Sequence, residues 1–212
     1  MALIWTLSGF LGLESDWDFL PWPHKEVERR PLRPPTPREN PAAESGLRST
    51  DSLLGYSMGG RLALRMLEDT PMQKAIIVSA GLNAPDEERR ARDEEWARRF
   101  ESEDWSSLMH DWNAQPVFGG HALDRREEDY DRLELARQLR EYSPAVLPPP
   151  ELERIETQIL WIAGARDAKY VDVGKRAVAR LPHAELWICP NAGHRVPWEQ
   201  PEAFVARLRE FL

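Results

Sequence analysis

Gly55-Tyr56-Ser57-Met58-Gly59, continued by Gly60-Arg61-Leu62-Ala63-Leu64, organises the reading of the whole chain. The pentapeptide is a G-x-S-x-G pattern: a serine at a sharp strand-to-helix turn, with glycines two positions either side that let the backbone crowd past a strained corner. Ser52-Leu53-Leu54 before it is apolar, and Arg61 to Leu67 after it has a helical pattern, so the strand-turn-helix context is present. The amide-rich start of that helix faces the serine, where negative charge can develop. Taken alone, the motif also fits an ordinary glycine-rich turn. The decision rests on its partners.

A serine hydroxyl is a poor nucleophile or base at its free pKa. It needs a histidine to take its proton, and the histidine needs a carboxylate to fix its tautomer. Both appear downstream. Ile159 to Ala163 is a short apolar run suited to a buried parallel strand, Gly164 ends it, and Asp167 falls in the loop beyond. A second strand, Ala184 to Cys189, leads through Pro190-Asn191-Ala192-Gly193 to His194. Asp167 and His194 thus both follow strand ends, where sites of open α/β sheets form. The order Ser57, Asp167, His194 is the one expected of a nucleophile elbow on such a sheet. The other histidines, His24, His110, His121 and His183, lie in polar or charged stretches and read as surface. A terminal helix is expected from Glu202 to Leu212.

The chain has 212 residues, enough for one α/β domain with an insertion. A net charge of -8 disfavours a nucleic-acid partner. The single cysteine, Cys189, sits inside an expected strand and cannot form an internal disulfide, which fits a reducing cytoplasm. No apolar run approaches bilayer-spanning length, so no membrane partner is expected. The apolar start lacks a basic leader region and a cleavage site, and residues 2–7 read as a first strand entering the Ser8–Gly12 loop. Residues 73–80 are a buried strand. Residues 21–50 carry seven prolines and little to bury, and are expected to be extended or irregular. Residues 85–149 are charged, tryptophan-rich and helical in pattern, and end at Pro148-Pro149-Pro150, a stiff return. The division is a core of 1–84 and 150–212 with a helical cap of 85–149. No cofactor or metal is called for.

Three segments, Gly-Tyr-Ser-Met-Gly-Gly-Arg at 55–61, Ala-Gly-Ala-Arg-Asp-Ala-Lys-Tyr at 163–170 and Asn-Ala-Gly-His at 191–194, closely resemble the 2-succinyl-6-hydroxy-2,4-cyclohexadiene-1-carboxylate synthase family of the α/β-hydrolase-fold superfamily. Ser8-Gly9-Phe10-Leu11-Gly12 is similar to that family's oxyanion loop. Ser79 to Leu82 with the run to Trp96–Phe100, and Asp111 to Phe118, are similar to its cap. The cap segments carry the most weight, because the catalytic motifs belong to the whole superfamily. The resemblance implies a mostly parallel sheet flanked by helices and a helical cap. Because residues 21–50 show none of the strand, loop and helix the family has there, a shortened N-terminal half and a sheet reduced from eight strands to six are expected. It implies a menaquinone-pathway lyase in which Ser57, activated by His194 and Asp167, removes a proton and pyruvate leaves. The backbone amides of Phe10 and Met58 would form the oxyanion hole. Tyr56, Arg61 and Arg89 would contact a substrate rich in carboxylates, which guanidinium groups match bidentately. On spacing alone, Arg61 equally suits a solvated helix face, and Arg90 and Arg92 compete with Arg89 for its register.

The sequence departs from the family at Ser8, where the family has histidine, at Pro197, where a second histidine is frequent, and between Glu134 and Tyr142, where the cap is short. Arg137 and Arg140 are the candidates for a missing cap arginine. Three readings therefore stand: the lyase, a small carboxylic ester hydrolase with the same triad, and a non-catalytic relative that keeps only the fold. In the first two the partner is a small carboxylate or ester.

Overall fold

The computed structural model describes residues 3–26, 48–82 and 86–212. It divides into two compact units, one of residues 1–81 with 150–212 and one of residues 82–149.

The first unit is built on a sheet of six strands, all parallel: β1 (Ile4–Leu7), β2 (His24–Glu26), β3 (Ser52–Tyr56), β4 (Lys74–Val78), β5 (Gln158–Gly164) and β6 (Ala184–Cys189), in the order β2-β1-β3-β4-β5-β6. The central strands are apolar on both faces because both faces are covered. Leu54, Ile76 and Leu160 stand in register on one face. They pack with Trp17, Phe204 and Leu208 from the first loop and the terminal helix α7 (Pro201–Phe211). Gly55, Ile77 and Trp161 occupy the other face, under α1 (Met58–Asp69) and α5 (Ala168–Val178), where Ala63 lies beside Gly55 and Gly174 beside Trp161.

Residues 21–50 depart from the sequence expectation. A short strand, β2, pairs with β1 through Ile4↔His24 to Thr6↔Glu26, and Pro23 accepts from the Ile4 amide at 3.1 Å. Pro21 and Pro23 do not block pairing, since they precede the strand on a sheet edge. The rest of that expectation, residues 27–47, lies outside the described residues. Where the chain returns, buried Asp51 accepts from the Leu3 amide (3.2 Å), the Trp5 indole (3.0 Å) and the Arg48 amide (3.3 Å), tying β1 to the start of β3. Of the histidines read as surface, His110 and His183 are exposed, but His24 and His121 are half-buried, and the His24 Nδ1 lies 3.1 Å from the Trp22 carbonyl.

The second unit holds α2 (Glu87–Ser102), α3 (Trp105–Asn113) and α4 (Arg132–Glu141). Each starts on an aspartate, Asp86, Asp104 or Asp131, whose side chain accepts from a first-turn amide. Its interior is aromatic: Trp96, Phe100, Trp105 and Trp112 meet edge to face or tilted, and Trp105 stacks on Tyr130. The segment Asp111 to Phe118 closes α3, with Asn113 bridging the Met109 carbonyl and the Leu123 backbone. Among the described residues no helix is long and apolar enough to cross a membrane.

Candidate active site

Ser57 sits between β3 and α1 with φ 53° and ψ -110°. This is a conformation that L-residues avoid, and it costs on the order of 1–3 kcal/mol. The surroundings enforce it. The Ser57 amide donates to the Val78 carbonyl at 2.8 Å, and the Ser57 carbonyl accepts from the Arg61 amide at 3.2 Å. Gly59 is obligatory, because a Cβ there would stand 1.9 Å from the Leu7 carbonyl oxygen. The end of β1 thus crosses the start of α1 at contact distance, and the serine is fixed at the corner.

Asp167 and His194 are carried to it by two adjacent strands. Asp167 caps α5 after β5, with one carboxylate oxygen accepting from the Tyr170 amide at 3.4 Å. The other oxygen lies 2.9 Å from His194 Nδ1. His194 follows β6 and is buried, and its Nε2 lies 3.2 Å from Ser57 Oγ. A carboxylate at Nδ1 selects the tautomer with hydrogen there, leaving the Nε2 lone pair for the serine proton. The three residues picked from sequence are therefore joined in one hydrogen-bonded chain. It can draw the proton from Ser57 Oγ and stabilise the resulting imidazolium.

The Ser8–Gly12 loop runs beside the serine, since a Cβ on Gly9 would lie 3.4 Å from that of Ser57. The loop closes on itself through the Gly12 amide and the Gly9 carbonyl, with Leu11 at φ 59°. Phe10 is half-buried in this turn, and Met58 heads α1, so its amide has no acceptor four residues back. At Ser8, where the sequence departs from the family, the hydroxyl accepts from the buried Trp17 indole at 2.9 Å.

Tyr56 is buried, with its ring 5.6 Å from that of His194 and edge-on to Trp198 at 4.9 Å. Burial pushes its phenol well above the ordinary value, and the Arg195 guanidinium donates a hydrogen bond to it. Arg61 is half-buried one turn beyond Ser57 on α1. In the second unit the structure separates three competing arginines. Arg90 and Arg92 make long exposed pairs with Glu87 and Glu88, whereas Arg89 Nε lies 2.8 and 2.9 Å from the two oxygens of buried Asp93. Ser143 donates to the same carboxylate at 2.5 Å. Arg137 is engaged by Glu134 and Glu141, and Arg140 by Glu94 and Glu101.

Four residues around His194 were missed in the sequence: Tyr170, Arg195, Trp198 and Glu199. Tyr170 packs on the imidazole with ring centroids 4.5 Å apart. Trp198 touches Trp17 and Tyr56, and its indole donates to the Asp16 carbonyl at 3.2 Å. Only the short spacing from Gly193-His194 to Glu199 hinted at the last of them. Cys189 is buried at the end of β6, and burial pushes its thiol up to about 11. Among the described residues no cluster of histidine, cysteine or carboxylate side chains could hold a metal.

A six-stranded parallel sheet with a serine on a strained turn after its third strand defines a member of the α/β hydrolases. The family model described as the alpha/beta hydrolase family matches residues 7–207. Within it the chain belongs to the 2-succinyl-6-hydroxy-2,4-cyclohexadiene-1-carboxylate synthase family. The protein of that name from Escherichia fergusonii is 32% identical over 174 residues, covering 76% of this chain and 67% of its own. The solved structure of MenH from S. aureus superposes with a TM-score of 0.82 at 20% identity, covering all of this chain and 93% of that one. A thermophilic esterase from Thermogutta terrifontis has the same fold, with a TM-score of 0.69 at 18% identity, covering all of this chain and 89% of its own.

Proposed function

We propose that this chain is a lyase of menaquinone biosynthesis. It eliminates pyruvate from a succinyl-enolpyruvyl-hydroxycyclohexene dicarboxylate to give the 2-succinyl-6-hydroxycyclohexadiene carboxylate after which its relatives are named. The observation that carries this reading is the chain Asp167–His194–Ser57, at 2.9 and 3.2 Å, in a member of that family. His194 Nε2 takes the Ser57 proton as the serine oxygen removes a proton from the substrate ring. The electron pair moves into the ring to form the diene as the ring C–O bond breaks. The released enolpyruvate takes up a proton, restoring the balance left on the Ser57–His194 pair, to become pyruvate. Asp167 holds the imidazolium throughout. The amides of Phe10 and Met58 receive negative charge developing on the substrate oxygen. Arg61 supplies a guanidinium partner for a substrate carboxylate, and Tyr56, kept neutral by burial, contributes a phenol.

The test is pyruvate release from that precursor by wild type, Ser57→Ala and Arg61→Ala. Release lost in Ser57→Ala and weakened in Arg61→Ala is the expected result. No release from wild type, alongside Ser57-dependent cleavage of p-nitrophenyl acetate, overturns the lyase and leaves a carboxylic ester hydrolase.

A further inference from the structure

Glu199 sits five residues after His194, on the last position of the short helix α6 (Val196–Glu199), and its carboxylate turns back toward the imidazole-bearing loop. One oxygen accepts from the Gly193 amide at 2.8 Å and the other from the Arg195 amide at 3.0 Å. These are the peptide N–H groups immediately before and after His194. The Glu199 amide in turn donates to the Arg195 carbonyl at 2.9 Å, so the contact is reciprocal. The carboxylate is mostly covered, and an ionic neighbour, Arg166, is exposed and 3.8 Å away. A Cβ on Gly193 would lie only 3.1 Å from Glu199 Oε1, so loop and carboxylate are in close contact. On its other side the loop is fixed by β5: a Cβ at Gly164 would stand 2.0 Å from the Gly193 carbonyl oxygen, and the Arg166 amide donates to the Ala192 carbonyl at 2.8 Å.

We propose that Glu199 is a positioning residue for His194. It grips the backbone on both sides of the histidine and so sets where Nε2 stands relative to Ser57 Oγ. Neither sheet nor helix supplies an acceptor for these two N–H groups, because the loop has left β6 and α6 begins only at Val196. A charged acceptor holds each more strongly than a neutral one. A glutamine keeps the volume but offers one oxygen and two N–H donors, so one of the two amides meets a donor. The proposal rests on the Ser57–His194–Asp167 reading, and its test separates the two.

The experiment is the rate of Ser57 labelling by a fluorophosphonate, measured for wild type, Glu199→Gln, Glu199→Asp, Arg166→Ala, His194→Ala and Ser57→Ala. Steady-state pyruvate release and thermal unfolding are measured on the same variants. Labelling in Glu199→Gln is expected to fall about 10- to 100-fold, with kcat falling in parallel and KM held within about twofold, because the carboxylate acts through the histidine and not on substrate. Glu199→Asp, which keeps two charged acceptors on a shorter arm, recovers part of the loss, and Arg166→Ala labels as wild type. Folded Glu199→Gln that labels like wild type while His194→Ala does not label overturns the proposal and leaves the triad standing. Should Glu199→Gln fail to fold, the same comparison is read from Glu199→Met, which keeps the length but offers neither amide an oxygen, and wild-type labelling there overturns the proposal. Equal labelling of wild type and His194→Ala overturns the triad reading itself.

Discussion

Ser57 and Arg89, one in each unit, are both functional candidates, yet the contacts that hold them differ in kind. Ser57 is held by backbone: a strained φ, a β4 carbonyl on its amide, and a glycine two positions on that touches the end of β1. Its partner His194 is held by its own loop's backbone, which the Gly164 backbone touches on one side and the Glu199 carboxylate grips on the other. Arg89 is held by side chains, through an i,i+4 ion pair to Asp93 with Ser143 behind it. Elsewhere in this unit Arg98 forms exposed pairs, and Arg99, Arg137 and Arg140 form half-buried ones at the surface. Backbone contacts at hard-sphere distance tolerate almost no change, whereas exposed ion pairs contribute little individually and are replaceable. The first unit is therefore expected to be brittle and the second forgiving.

Substitutions test this contrast, beginning with the largest effect. Ser57→Ala and His194→Ala are each expected to lower kcat by about 10³-fold or more, with folding intact by circular dichroism. Retained activity in either would remove the functional side of the contrast. Gly59→Ala is next. With a Cβ 1.9 Å from the Leu7 carbonyl, β1 and α1 must separate. A loss of about 3 kcal/mol or more is expected in urea unfolding, along with the activity. In the second unit, Asp93→Ala strips Arg89 and Ser143 of their shared partner and is expected to cost about 1–3 kcal/mol. Arg98→Ala, which removes only exposed pairs 3.5 and 3.7 Å long, is expected to leave the melting temperature unchanged within error.

Acid separates the units in a subtler way. Burial alone raises the Asp51 carboxyl, but hydrogen bonds from Trp5, Leu3 and Arg48 outweigh it and hold the group below the usual carboxylate range. A depressed folded-state value means this stability is fully present above the ordinary aspartate range and is lost as pH falls through the folded value. Thermal unfolding of wild type against Asp51→Asn from neutral to acid pH should converge at the acid end. In the second unit, Glu94 and Glu103 are held low chiefly by hydrogen bonds from Arg140 and Arg99. Both pairs are solvent-accessible, so added salt should shrink their share of the acid effect while leaving that of Asp51 in place.

The strands β3 to β5 were legible because parallel strands covered on both faces appear as unbroken apolar runs, as at Ile159–Ala163, while β6, a half-exposed edge strand, was legible as the mainly apolar stretch Ala184–Cys189 despite Glu185. Ser57, Asp167 and His194 were legible because each follows such a run. β2 was hidden among prolines, since an edge strand of three residues has no periodicity to show and owes its existence to the pairing that β1 offers. Tyr170, Arg195 and Trp198 were hidden because nothing local distinguishes them from ordinary helix or loop residues, and Glu199 had only its spacing from His194 to mark it.

By itself, the sequence determined the elbow, the order of the three reactive groups and the strands that carry them, since these follow from local pattern and spacing. The distance from His194 to Ser57 and the two-sided grip of Glu199 were decided only when β5, β6 and α6 came together. Side-chain partners distant in sequence, and backbone groups that close only in three dimensions, leave no periodic trace along the chain.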